Sequence, residues 1–268
     1  MATVVFVHAH PDDEASQSAG SMARAVAEGH RVVLVYATHG EHGEAPDDLA
    51  QGETVADRRR LEAARSAEVI GTHRVVWLGY ADSGMTGWAQ NDHERSFARA
   101  DLDEAAGRLA DVLREESADV VVGYDWHGGY GHPDHVKVHH VTHRAAELAA
   151  TPRVLESTMN RDVMRAQFLA ARAAGAEIDW DPDGPMDDGN PMGTPEAELH
   201  WACDVTAYIG VKRAALAAHA SQVTDVGAML SIPEDGFAIA FGVEHYLEPA
   251  RAPGMVRGWF LDPAELVR

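Results

Sequence analysis

Residues 3–14 read TVVFVHAHPDDE, and how this stretch is interpreted decides the fold. A β-branched apolar run, Val4-Val5-Phe6-Val7, stops abruptly at two histidines, a proline and three consecutive acids, Asp12, Asp13 and Glu14. Pro11 disfavours the helical region at His10, so the chain stays extended and the imidazole is delivered at the end of a strand. Such an ending is either a solvated polar turn or a site.

Working outward, β-branched runs recur at 31–38, 74–80, 119–125 and 153–158, with the first at 3–9. Between them, apolar residues fall at helical spacing, as in Met22-Val26, Leu61-Ala64-Ala67-Val69 and Leu102-Ala106-Leu109-Leu113. Alternation of this kind predicts an α/β fold: a mostly parallel sheet with helices on both faces, and ligands gathered beyond the carboxyl ends of the strands. Residues 177–200, rich in Asp, Gly and Pro, read as a loop or lid insertion. A further helix is expected over 211–223 and short strands at 237–241 and 258–261. The expected organisation is a single domain over 1–268 with a C-terminal elaboration.

Composition limits what the chain can do. Forty-three acids against 22 bases give a formal charge of -21, which opposes nucleic acid and anionic membrane surfaces and favours a small-molecule partner. No stretch reaches the roughly 20 apolar residues of a spanning helix, and the start lacks a secretory layout, so a cytoplasmic setting is expected. With one cysteine, Cys203, there is neither a disulfide framework nor a Cys-only zinc site, and any metal must be held by His and carboxylates. Cys203 reads as a core filler.

The sixteen histidines are not evenly spread. His10 and Asp13 form an incomplete set, since catalytic zinc takes three protein ligands and keeps a position for water. The fourth predicted strand ends in DWHGGYGHPDH, a second His-Pro-Asp cluster after a glycine-rich turn. An isolated Asp-Asp after a strand is most often a turn or helix cap, but two such clusters at two strand ends favour a metal site. His10, Asp13 and His135 are the expected ligands, and Asp12, left over beside a ligand, the general base. Glu14 receives no role. His139, His140 and His143 are expected on a helix face, and His42, His73 and His93 on the surface. A GxGxxG dinucleotide turn is absent after the first strand, and a leading His10 argues against an aspartyl phosphatase.

The pair AHPDDE (9–14) and GHPDH (131–135) resembles the LmbE-like, or PIG-L, superfamily of metal-dependent N-deacetylases, and RRLE (59–62), LGYADSGM (78–85) and KRAALAAHASQ (212–222) resemble further family blocks in the same order. The resemblance implies a Rossmann-like fold, one zinc or in some members iron, and removal of the N-acetyl group from an N-acetylglucosamine-type substrate, as in the deacetylase of mycothiol metabolism. It implies His10, Asp13 and His135 as ligands and Asp12 as base. It further implies His132 as an electrostatic stabiliser or acid with Asp134 as its charge partner, Tyr130 at the oxyanion, and Arg59 and Asp82 on substrate hydroxyls. Two alternatives stand beside this reading: an amidase cleaving a mycothiol-type thiol-sugar conjugate, and a non-catalytic sugar- or metal-binding module. A homo-oligomer is compatible with the sequence.

Overall fold

The computed structural model describes residues 1–175, 177 and 181–266. The chain runs β1 (Thr3–His8), α1 (Asp13–Gln17), α2 (Ala19–Ala27), β2 (Arg31–Thr38), α3 (Val55–Ile70), β3 (Arg74–Tyr80), α4 (Leu102–Glu115), β4 (Val120–Tyr124) and α5 (Pro133–Ala149). It continues through β5 (Arg153–Thr158), α6 (Arg161–Ala173), β6 (Trp201–Asp204), α7 (Ile209–Ala218), α8 (Asp225–Ser231), α9 (Glu234–Phe241), β7 (Val243–Leu247) and β8 (Val256–Arg257).

One eight-stranded sheet has the order β3-β2-β1-β4-β5-β7-β6-β8. The first five strands are mutually parallel, and β7 runs antiparallel to both β5 and β6. Strand order reverses between β1 and β4, because the chain winds outward through β2 and β3 and then returns to lay β4 on the other side of β1. The crevice at such a switch point is where an open α/β sheet binds its ligand.

Alternation along the strands builds two cores. Val4 and Phe6 of β1 join Val32, Leu34 and Tyr36 of β2 under α2, α3 and α7, whereas Val5, Val7, Val33 and Val35 face α4 and α5. The helices are bounded by local chemistry. Thr54 and Asp57 form a capping box at the start of α3, Gly71 ends it at φ 85°, and Asp101 caps α4 by accepting from the Glu104 N–H.

The C-terminal part departs from the sequence expectations. Residues 237–241 form the end of helix α9, not a strand. Glu234 and Asp235 lie in its first turn, where acids suit the helix dipole, and Phe237 and Phe241 pack ring on ring at i,i+4. Residues 258–261 are not a strand either: the residues that pair with β6 are the preceding Val256 and Arg257, and Trp259, Phe260 and Leu261 are buried beyond them. Helix α7 stops at Ala218, after which His219 and Ser221 turn inward to the buried carboxylates of Glu14 and Glu62 and Gln222 accepts from the Glu44 N–H. Strands β6 and β7 carried no expectation.

Of the expected loop 177–200, residues 178–180 lie outside the described residues. Over 181–200 the chain has no regular element beyond a short 3-10 turn at Glu196–Glu198. This loop is nevertheless anchored: Arg161 donates to the carbonyls of Met192 and Pro191, and Gly193 N–H donates to Gly129.

Candidate active site

Two turns at the switch point build the cleft. After β1 the chain passes through Ala9-His10-Pro11 and enters α1 at Asp12, whose φ of 97° is rare for a residue with a side chain. The Asp12 N–H donates to Glu14 Oε2 at 3.0 Å, which holds this conformation. After β4, Asp125 Oδ1 accepts from the N–H groups of His127 and Gly129, curling the glycine-rich turn. His132 then caps α5, its Nδ1 accepting from the Asp134 N–H, with Pro133 as the first helical residue. His135 therefore sits in the first turn of α5, facing His10. The two strand ends are clamped by His8, which joins the Tyr124 hydroxyl at 3.0 Å and Ser18 at 2.8 Å.

One carboxylate oxygen lies between two imidazoles. Asp13 Oδ2 is 3.4 Å from His10 Nδ1 and 3.3 Å from His135 Nε2. The far nitrogen of each ring is held by a partner: His135 Nδ1 lies 3.1 Å from the Gly128 carbonyl, and His10 Nε2 lies 3.1 Å from Asp134 Oδ2 and 3.5 Å from Asp82 Oδ1. That outer layer is what orients metal-ligating histidines. His135 Nε2 itself is buried with no hydrogen-bond partner. Two imidazole nitrogens, one of them buried without a hydrogen-bond partner, and one carboxylate oxygen fit a borderline divalent metal.

The electrostatics agree with that fit. Burial would push His10 down, but Asp82, Asp13 and Asp134 raise it well above its ordinary value. Burial would raise Asp13, yet His135 and His10 hold it well below the carboxylate range. A cation displaces the proton that these groups otherwise share.

Asp12 points into the cleft beside this set. Its Oδ2 accepts from Arg59 at 2.9 Å, and burial, opposed by the Arg59 charge, pushes its pKa up to about 6. The cleft, about 140 Å³, is also lined by Tyr130, His132, Met85 and the half-exposed Trp88. A larger cavity of about 380 Å³ bordered by Tyr80, Arg95, Arg99 and Arg108 contains none of these groups.

All nine sequence-derived residues meet here, but three have partners other than those expected. The Asp134 carboxylate bonds His10 Nε2 and both the N–H and hydroxyl of Ser83, while it touches His132 only through its own N–H. It holds His10 rather than pairing its carboxylate with His132, because the first turn of α5 aims it back at β1. Arg59 is buried and donates to Asp12 and to the carbonyls of Pro11 and Gly40. Asp82 accepts from the N–H groups of Gly84 and His42 and faces His10. Burial, with His10 and His135 alongside, pushes His132 down to about 2.

Sequence reasoning missed the support beneath Asp12. Glu14, fully buried, accepts from Asp12 N–H, Ser66 and His219 Nε2, the last at 2.7 Å. Glu62 takes the N–H and hydroxyl of Ser221. The signal was present in the blocks RRLE and KRAALAAHASQ, whose acids and hydroxyls meet across the fold.

Fold and cleft define the class: an α/β enzyme whose cleft, at the switch point of its sheet, gathers histidines and carboxylates able to hold a cation. The family profile described as PIG-L, GlcNAc-PI de-N-acetylase, matches residues 5–146, and the chain belongs to this family. It is 37% identical over 258 residues to the 1D-myo-inositol 2-acetamido-2-deoxy-alpha-D-glucopyranoside deacetylase of Acidothermus cellulolyticus, covering 91% of this chain and 88% of that relative. Among solved structures it superposes on N,N'-diacetylchitobiose deacetylase from Pyrococcus horikoshii with a TM-score of 0.59 at 20% identity, covering 92% of this chain and 83% of that one. It also superposes on 4-carboxy-2-hydroxymuconate hydratase from Pseudomonas putida KT2440, with a TM-score of 0.55 at 19% identity over 96% of this chain and all of that one. The likeness to a hydratase shows that this fold does not by itself dictate the reaction.

Proposed function

We propose that this chain is a metal-dependent hydrolase that removes the N-acetyl group from an N-acetylglucosamine-type small molecule, its substrate being the inositol-linked sugar for which its curated relatives are named. The observation that carries the reading is Asp12 beside the His10, Asp13 and His135 set, with His135 Nε2 buried, 3.3 Å from Asp13 Oδ2 and without a hydrogen-bond partner. The whole chain acts as one domain, since the expected lid is tied to the β4 turn and β7 pairs with β5.

An amide needs an activated water, a stabilised oxyanion and a proton for the departing amine. Zinc, or iron(II), held by His10, Asp13 and His135 would supply Lewis acidity and lower the pKa of a coordinated water to about 7. Asp12 takes the proton of the attacking water. Its αL backbone and its bond to Arg59 fix the carboxylate, and a pKa of about 6 lets it accept and return a proton near neutrality. Tyr130, whose ring sits 5.0 Å from His135, donates to the oxyanion. Between His132 and Asp12 as acid for the amine, Asp12 is favoured, because His132 is held neutral. His132 then contributes a neutral donor or acceptor.

The test is acetate release from a panel of N-acetylated sugars, including the inositol-linked one and a thiol-sugar conjugate, with metal-stripped and reloaded protein. Acetate release that needs metal and prefers the inositol-linked sugar supports the reading. Full activity without metal removes the hydrolytic centre from it, and faster cleavage of the conjugate replaces the substrate.

A further inference from the structure

Helix α5 carries His135, His139 and His143 at successive i,i+4 positions, on one face of the helix. The first belongs to the cleft. The other two converge, outside it, on Glu156 of β5. His143 Nε2 lies 2.7 Å from Glu156 Oε1, and His139 Nδ1 lies 3.6 Å from the same oxygen. The two rings are tilted against each other with centroids 4.6 Å apart. One donor atom from each of the three residues falls within 4.8 Å of the other two.

We propose that His139, His143 and Glu156 form a second binding site for a divalent transition ion of the zinc type, distinct from the cleft. Only His143 hydrogen-bonds Glu156; His139 Nδ1, at 3.6 Å, stands beyond hydrogen-bond reach of that oxygen yet still converges on it. The three donors together make a two-nitrogen, one-carboxylate set of the kind that holds zinc. Accessibility also suits an ion: the Glu156 side chain is 8% exposed at the bottom, His139 16% and His143 34% at the rim, so the site opens outward through His143. Donors around a four-coordinate zinc stand roughly 3.3 Å apart, given bond lengths of about 2.0–2.1 Å. The His143 ring therefore moves outward by about half an ångström on binding, toward solvent. The proton shared by His143 and Glu156 leaves to water, and the Nδ1 proton that His139 donates to the Tyr124 carbonyl at 3.0 Å passes through water to Nε2 of the same ring, which frees the Nδ1 lone pair for the ion. Along α5, His139 and His143 stand four and eight residues from His135, about 6 and 12 Å at about 1.5 Å each, and Glu156 is contacted by His139 and His143, so the site has its own set of donors.

The experiment titrates untagged, metal-stripped full-length protein with Zn2+ by calorimetry, and repeats it with Glu156→Gln and His143→Gln. Wild type is expected to take one more equivalent than either variant, with at least a tenfold loss of affinity for that equivalent in each. Both variants keep the wild-type circular dichroism and rate of acetate release, since neither residue lines the cleft. The same stoichiometry in wild type and both variants overturns the proposal. Because His143 is part-exposed, His143→Gln remains a valid test even where Glu156→Gln fails to fold.

Discussion

Asp12 concentrates the chemistry of the cleft in one residue. It occupies a backbone region that costs a non-glycine residue of order 1–3 kcal/mol, and such strain persists only where surrounding contacts hold it. Replacing it with Asn keeps the shape and removes the base, so kcat falls by about 10²–10⁴ with little change in KM or in metal content. The base works ionised, and its pKa is raised to about 6 by burial. In wild type, kcat/KM therefore holds above that value and falls tenfold per unit as pH drops below about 6. Arg59 lowers the Asp12 pKa, so Arg59→Gln moves this acidic limb to higher pH, a shift that a purely structural role for Arg59 does not produce. A pH profile of wild type, Asp12→Asn and Arg59→Gln checks all three statements. The proposed roles of Asp12 as base and Asp13 as ligand were read from HPDDE together with the GHPDH cluster about 120 residues further on. The role of Glu14 was not, because its partners Ser66 and His219 lie 52 and 205 residues away.

At the scale of elements, the site depends on how turns enter helices. Gly128 has φ 66°, and a Cβ there would overlap His135, whose Nδ1 its carbonyl holds. Gly128→Ala is expected to displace the ring and weaken metal binding by about 10–100-fold, the usual effect of losing a ligand's outer partner, as read by competition with a chelator. The joint between α1 and the end of α7 is a buried ion pair. His219→Ala leaves Glu14 buried without its charge partner and is expected to cost about 3–5 kcal/mol in urea denaturation. Apolar, β-branched runs revealed strands β1 to β5: β1, β2 and β4 are almost continuously buried, β5 is buried over its second half, and the edge strand β3 is mostly half-buried. That signal failed at 237–241, where a five-residue apolar stretch has no period of its own and Pro233, Glu234 and Asp235 set a helix start.

The whole molecule is a layered sheet whose C-terminal third is tied to its beginning. Lys212 of α7, 1% exposed, meets Glu244 of β7 at 2.6 Å, and Glu244 also accepts from Gly20 and Ser21 at the start of α2. Lys212→Met strands that carboxylate and lowers stability by about 3–5 kcal/mol, measured by denaturant unfolding, without touching the cleft. Acid acts on the fold through Glu14. Burial would raise its pKa, but the charge and hydrogen bond of His219 hold it at about 2, below the ordinary 4.5. Its contribution is complete above about 4.5 and is lost as pH falls toward about 2, so unfolding curves measured across that window steepen their loss of stability there.

The sequence alone determined the α/β class, the edge of the sheet that carries the site, and the donor types, because strand periodicity and the HPDDE and GHPDH turns are local properties of the chain. Only the tertiary structure decided which strands are neighbours, that Asp134 and Asp82 serve His10, that Arg59 and Glu14 hold Asp12, and that α5 carries a second histidine cluster against Glu156. Those assignments depend on contacts between residues tens to hundreds of positions apart. Such contacts are set by the packing of whole layers, and no window of sequence contains them.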